Sequence, residues 1–523
     1  MKLSHLRVET LPNPLGIDAR PPRLSWRMES ARLGAKQTAY QIIGRIDNAP
    51  HWDSGKIAAS SSIDIPYGGH LQSRDRIEWM VRVWDERGEV IESEPAWFEM
   101  GLLNPGDWQA RWIQGALSGG IWTSIPCPYF RKEFTAARPV TKAVLYITAL
   151  GLYEASLNGQ PVSRDLFNPG WTDYHKRIHY HAYDVTPLLK PGANAIGAVL
   201  GDGWYCGHLD WRGRQRYGDR PKLLAQLEMT FADGSRQIVV TDESWKYNYG
   251  PLLEADILMG ESYDARKEWF GWDRPGFDET GWSAPQRAEP PAGVLTAASV
   301  PPVRATQEIH PISLTHVDDW PNQRWVFDLG QNIVGHVRLK ARGRAGQTFT
   351  LRHAEALVTD HLPSPNGTLY TIALRSARAT DHYTCKGTGE EIWEPRFTFH
   401  GFRYVEVTGC DDNPPLDTVT GVVVHSDLPL TGRFECSNPL LNRLQQNIQW
   451  SQRGNFLSIP TDCPQRDERL GWTGDILAFM PTAALNMDVC AFIADWLRTL
   501  RDSQWENGAV PMIAPELHVL PNE

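Results

Sequence analysis

The chain has 523 residues, 41% of them hydrophobic and 22% charged, and carries a formal net charge of −10. That length predicts about three to five domains, each with material for a real core. The acidic balance excludes a nucleic-acid backbone or an anionic membrane as principal partner, and no apolar run reaches the roughly 18 residues of a transmembrane span.

The N-terminal stretch up to Trp26 has no apolar signal core. Seven cysteines are scattered from Cys127 to Cys490 without a CxxC spacing. Together these features predict a reduced, cytoplasmic protein without a structural zinc. Twenty-two tryptophans stand out. Large β-sandwich cores account for most of them, and stacking on sugar faces is the functional alternative.

Up to about residue 430 the sequence reads as short β-strands separated by turns. Residues 1–105 have the length and strand rhythm of a fibronectin-like sandwich. The alternating run Ile77 to Trp84 is a strand, and Asp85-Glu86-Arg87-Gly88 is its turn. Leu102 to Trp108 reads as a linker. Residues 108–300 suit a jelly roll, in which Val144 to Leu157 is one long strand and Asn158-Gly159 a hairpin turn. Gly201-Asp202-Gly203-Trp204 reads as a tight turn with a packed tryptophan. Residues 303–428 form a further sandwich, with strands over Thr348–Leu351 and Phe402–Val407.

The pattern changes at Ser437-Asn438-Pro439, a helix start with a capping residue and a proline in the first turn. Leu440, Leu441, Leu444 and Ile448 follow at helical spacing. Residues 454–466 read as a loop. A second helix is expected from near Glu468 to about Leu485, and a third one capped by Asp488.

Asp462 to Asp475 concentrates the chemistry, with Asp462, Asp467, Glu468 and Asp475 beside Arg466, Arg469 and Trp472. On a helix Glu468, Trp472 and Asp475 would share one face. Arg466 and Arg469 would pin the carboxylates and hold their charge states apart, leaving one acid as a proton donor. An acid-rich helix N-terminus favoured by the macrodipole is the plain alternative. Cys463 reads as a small loop residue.

The whole stretch from Asp462 to Asp475 resembles the signature of bacterial α-L-rhamnosidases, glycoside hydrolase family 78. Other segments are similar to that family too: Trp84-Asp85 with Phe98 to Leu103, Leu157-Asn158-Gly159, Asn168 to Tyr174, Gly201 to Tyr205, Phe327 to Asn332, His353-Ala354-Glu355 and His400 to Tyr404. The resemblance implies a multidomain, mainly β architecture: fibronectin-like, jelly-roll and concanavalin-like sandwiches, then residues 430–523 as the first helices of an (α/α)6 barrel. It implies removal of terminal α-L-rhamnose from rhamnose-containing glycosides with inversion, without a metal or other cofactor. Glu468 would be the general acid. Asp462 and Asp475 would bind sugar hydroxyls with help from Arg466, and Trp472 would line the pocket.

Inversion needs a second carboxylate about 6.5–9.5 Å away to activate water. The resemblance places that base far downstream, and neither Glu506 nor Glu516 matches it. Ser437 to Glu523 suffices for about three to four helices, so a truncated catalytic domain without its base is expected. The rival expectation is a non-catalytic rhamnoside-binding fragment. Its incomplete barrel would self-associate or pair with a complementing chain. His353, Glu355, His400 and Arg403 are expected to be structural.

Overall fold

The computed structural model describes residues 1–319, 322–359 and 366–517. Three β units follow one another, and four helices, α1 (Gly203–Cys206), α2 (Pro439–Asn455), α3 (Thr473–Asn486) and α4 (Cys490–Asp502), are described. Among the described residues no helix is long and apolar enough to cross a membrane.

The first unit packs a three-stranded sheet on a six-stranded one. In the central strand Arg76–Asp85 the alternation puts Ile77, Trp79, Val81 and Val83 inside. They meet Trp26, Tyr67 and Phe98 in one core. The buried Trp26 ring still has a polar N–H, and it donates to Gln37 Oε1 at 3.0 Å.

In the second unit the expected single strand from Val144 to Leu157 is two. Val140–Leu150 belongs to a seven-stranded sheet and Leu152–Leu157 to a five-stranded one. Gly151 makes the switch with φ +109°, where a Cβ would lie 2.5 Å from the Gly201 carbonyl oxygen. Apolar periodicity cannot show this corner, because both halves are buried. The Asn158-Gly159 turn forms as expected. Both residues take positive φ, and Leu157 pairs with Gln160.

The third unit is built on a ten-stranded sheet around the long strand Asn322–Arg342. Leu252–Asp256 and Gly260–Asp264, from within residues 108–300, join this sheet beside Thr380–Thr384. Chain order and spatial order therefore differ here. The swap buries Glu261, whose Oε1 accepts the Arg396 and Phe397 amides at 2.9 and 2.5 Å. Its Oε2 has no hydrogen-bond partner among the described residues. Burial above all pushes this carboxyl up to about 8.

A folded pKa raised above the ordinary value makes Glu261's contribution complete at low pH. It is lost as pH rises toward 8. Glu261→Gln is therefore expected to leave stability near pH 5 little changed. At pH 8 it should raise stability by on the order of a few kcal/mol. Urea midpoints at the two pH values check this, and a variant with the wild-type pH slope contradicts it.

The helices begin where Asn438 caps α2, its Oδ1 accepting the Leu440 amide at 2.9 Å. Asp488 does not cap the third helix closely. Its Oδ1 is 3.5 Å from the Cys490 amide, while Oδ2 takes Arg7 Nη1 of the first unit at 2.6 Å. Arg177 of the second unit ties down α4 through Asp495, Asp502 and Thr499 at 2.7–2.9 Å. The apolar spacing of α2 does not face a core. Leu440, Leu441 and Leu444 are exposed, as are Leu477 and Leu485 on α3.

Candidate active site

After α2 the chain makes a tight pairing of Phe456–Leu457 with Ile459–Pro460. Asp462 then closes a loop on Leu470. Its amide donates to the Leu470 carbonyl at 2.9 Å, and its Oδ1 accepts the Leu470 amide at 2.8 Å. Inside the loop Arg469 takes φ +56° and turns its guanidinium into the protein. It donates to the carbonyls of Phe399 (2.7 Å), Ile257 (3.0 Å), Gln465 and Arg466 (both 3.2 Å). Burial lowers its pKa to about 10, so it stays charged at neutral pH. Arg469 is thus an anchor to the third unit. The expectation that it pins the carboxylates is corrected.

The expected helical face is corrected as well. α3 starts at Thr473, because the left-handed backbone at Arg469 and the extended backbone at Trp472 cannot continue a helix. Glu468 and Trp472 still meet, by loop geometry: Trp472 Nε1 donates to Glu468 Oε1 at 2.9 Å. Glu468 Oε2 lies 2.9 Å from Arg466 Nη2 and 2.8 Å from Arg375 Nη2. Arg466 also reaches Asp462 at 3.3 Å. Its guanidinium therefore sits between two acids, as expected.

The acids differ in environment. Burial, reinforced by the nearby Glu468, pushes the Asp462 carboxyl up, against the hydrogen bond from Leu470 and the charge of Arg466. Cys463 is buried and its thiol is pushed up to about 12, chiefly by burial and then by Asp462. That thiol is inert at neutral pH.

Asp475 lies on α3, outside the loop that carries Glu468. It is exposed in the first turn of α3 and lines, with Asp462, a cleft of about 300 Å³ between α2 and α3. Three larger clefts, about 390, 720 and 550 Å³, lie around Tyr153 to Asp165, around Trp269 to Arg274 and around His70 to Asp75. None of the three is lined by a residue of the acidic stretch.

Sequence reasoning missed Arg375 and Ser376. Arg375, with φ +54°, holds Asp467 at 2.6 Å and Glu468 at 2.8 Å. The Ser376 hydroxyl and amide both donate to Asp467, at 2.5 and 3.1 Å. Asp467 thereby locks a third-unit loop onto the acidic stretch. No local pattern marks residues 374–377, because their partners lie more than ninety positions away.

The remaining candidates serve the sandwich. Arg403 pairs with Asp328 at 2.7 Å, and Glu355 accepts from Asn332 at 2.8 Å. His353 and His400 stack 4.2 Å apart around Asp381. Burial and then the neighbouring His400 push His353 down to about 3. Trp204 is buried and stacks on Trp171, so its turn packs as read from the sequence.

Among the described residues, two groups have ligand atoms within 4.8 Å of one another, His353–Asp381–His400 and Asp462–Cys463–Glu468. In the first the rings are stacked 23° from parallel, so their lone pairs do not converge on one point. In the second the Arg466 guanidinium already occupies the space between the carboxylates, and the thiol holds its proton. The stacked rings in the first set and the intervening guanidinium in the second work against a shared cation.

Four family models match the chain. A Rha78A-like N-terminal immunoglobulin domain covers residues 3–104 and an alpha-L-rhamnosidase N-terminal domain residues 138–307. A bacterial alpha-L-rhamnosidase concanavalin-like domain covers residues 318–425, and the 6 hairpin glycosidase domain residues 429–523. An alpha-L-rhamnosidase of Streptomyces avermitilis is 37% identical, over 100% of this chain and 67% of that protein. One of Formosa agariphila is 41% identical, over 98% of this chain and 56% of its own length.

Among solved structures, the Streptomyces avermitilis alpha-L-rhamnosidase complexed with L-rhamnose superposes with a TM-score of 0.93 at 36% identity. It covers 98% of this chain and 66% of that one. The alpha-L-rhamnosidase from Dictyoglumus thermophilum gives 0.92 at 38% identity, with 100% and 60% covered. The chain thus spans 56 to 67% of the length of these relatives.

Proposed function

The chain belongs to the bacterial α-L-rhamnosidase family, and from that premise we propose that its acidic loop takes part in hydrolysing terminal α-L-rhamnosides with inversion. The observation that carries this reading is the setting of Glu468. Its carboxylate is fixed between an indole N–H and two guanidinium groups, at the mouth of a loop anchored by Arg469.

In this reading Glu468 is the general acid that protonates the glycosidic oxygen. Asp462 and Asp475 hold rhamnose hydroxyls from two sides of the α2–α3 cleft, Arg466 steadies Asp462, and Trp472 faces the apolar side of the sugar. The water-activating base is proposed to belong to the part of the relatives' length that this chain does not match.

The exposed leucines of α2 and α3 support a further part of the proposal. That face is covered by more chain or by a second copy. The test is hydrolysis of a nitrophenyl α-L-rhamnoside, followed by NMR of the first-formed anomer. The 523-residue chain is compared with a form extended to the length of its relatives. β-L-rhamnose released by the extended form supports the reading, and α-L-rhamnose released first contradicts inversion. Turnover by the 523-residue chain alone contradicts the placement of the base. Rhamnose binding without turnover in either form favours a binding role.

A further inference from the structure

The acidic loop is not the last polar layer of the site. Arg375, which holds Glu468, has its guanidinium carbon 5.8 Å from the ring centre of Trp211, over the ring. Trp211 comes from the second β unit and is 45% exposed, unlike most tryptophans of this chain.

The turn that carries Trp211 is built to hold it out. Asp210 takes φ +51°, its Oδ1 accepts the Arg212 amide at 2.5 Å, and the Leu209 amide donates to the Gly213 carbonyl at 3.0 Å. Next to it the buried Arg214 donates to Asp202 and to the carbonyl of Thr123. That second bond couples the turn to the loop bearing Ile121 and Trp122, which are 57% and 79% exposed. A Cβ on Gly213 would lie 3.8 Å from the Trp122 ring, so the two tips adjoin. An apolar rim of Ile121, Trp122 and Trp211 thus stands beside the arginine that orients Glu468.

We propose that this rim, with Trp211 as its platform, is the leaving-group subsite, and that it selects rhamnosides of aromatic rather than saccharide aglycones. The inference rests on the reading of Glu468 as general acid. If the glycone lies toward Asp462, Arg466 and Trp472, the oxygen that receives the proton carries its substituent toward the remaining partner of Glu468, Arg375, and so toward Trp211. The chemistry of the rim decides between aglycones. A second pyranose needs fixed donors and acceptors as well as a stacking face. The exposed apolar side chains at the rim, two indoles and an isoleucine, suit a flat aromatic group; of the exposed polar residues beside them, Thr123, Arg212 and Arg375, the last is already committed to Asp467 and Glu468.

The test is calorimetric binding of three non-hydrolysable probes: a phenyl thio-α-L-rhamnoside, its methyl counterpart and a thio-linked rhamnosyl-glucose. The wild-type chain is expected to bind the phenyl probe about tenfold more tightly than the methyl probe. Trp211→Ala should abolish that preference, leave affinity for the methyl probe unchanged, and regain part of the preference as Trp211→Phe. A preference that survives Trp211→Ala overturns the proposal. So does tighter binding of the disaccharide probe than of the phenyl probe. If all three probes lose affinity together in the Trp211→Ala variant, Trp211 acts through Arg375 and the subsite is also refuted. Failure of the wild-type chain to bind the methyl probe at all is a different result. It removes the rhamnose pocket itself, and with it the basis of the subsite.

Discussion

Glu468→Gln is expected to cut hydrolysis of alkyl α-L-rhamnosides by about 10²–10⁴-fold in a form of the protein that turns them over. The physical reason sets the pattern of the loss. An alkoxide is a poor leaving group and needs its proton in the transition state, whereas a nitrophenolate departs with much less help. The variant should therefore lose far less on the nitrophenyl substrate than on the alkyl one. The amide keeps an oxygen for Trp472 Nε1, so the loop should persist. Asp462→Asn is the informative control. Its Oδ1 still accepts the Leu470 amide, and its effect should fall mainly on KM with no dependence on the leaving group.

Burial pushes the Asp462 carboxyl up, so it too could carry a proton. The leaving-group test therefore also separates the two acids. If Asp462→Asn shows the leaving-group dependence and Glu468→Gln does not, the proton donor has been misassigned.

The second large effect is structural. Arg469→Met should destabilise the fold by on the order of 3 kcal/mol and release the acidic loop. The guanidinium satisfies buried carbonyls of the third unit and of the segment that joins its sheet, Phe399 and Ile257, where water cannot replace it. Methionine fills part of the space but donates nothing, and it keeps the cost of φ +56°. Thermal unfolding should show a lower midpoint, and residues 462–470 should become susceptible to proteolysis. Arg469→Lys should recover only a fraction, since an ammonium cannot reach four carbonyls from one planar fork. An unchanged midpoint in Arg469→Met would mean that the anchor carries no weight.

Much of the local structure was legible in the sequence because it depends on near neighbours. The alternation of Arg76–Asp85, the Asn158-Gly159 turn and the Asn438-Pro439 helix start are each set by residues a few positions apart. The acidic stretch announced itself by composition, and Asp462, Arg466, Glu468 and Trp472 do converge. Their manner of convergence was not legible. A helix face was the simplest local solution. It loses because Arg469 gains more from buried carbonyls 70 and 212 residues away than from continuing a helical backbone.

The sequence by itself determined the family, the mainly β order of the units and the identity of the acidic loop, since these rest on composition and short-range pattern. Only the tertiary structure decided which partners each acid has. Arg375 and Ser376 come from a loop without any marking pattern, and Gly151 sends one apolar run into two sheets. Leu252–Asp264 joins a sheet other than its chain neighbours'. Each of these outcomes turns on hydrogen bonds between residues distant in the chain. Such pairings reduce the free energy of the whole fold and leave no period or spacing in the segments that make them.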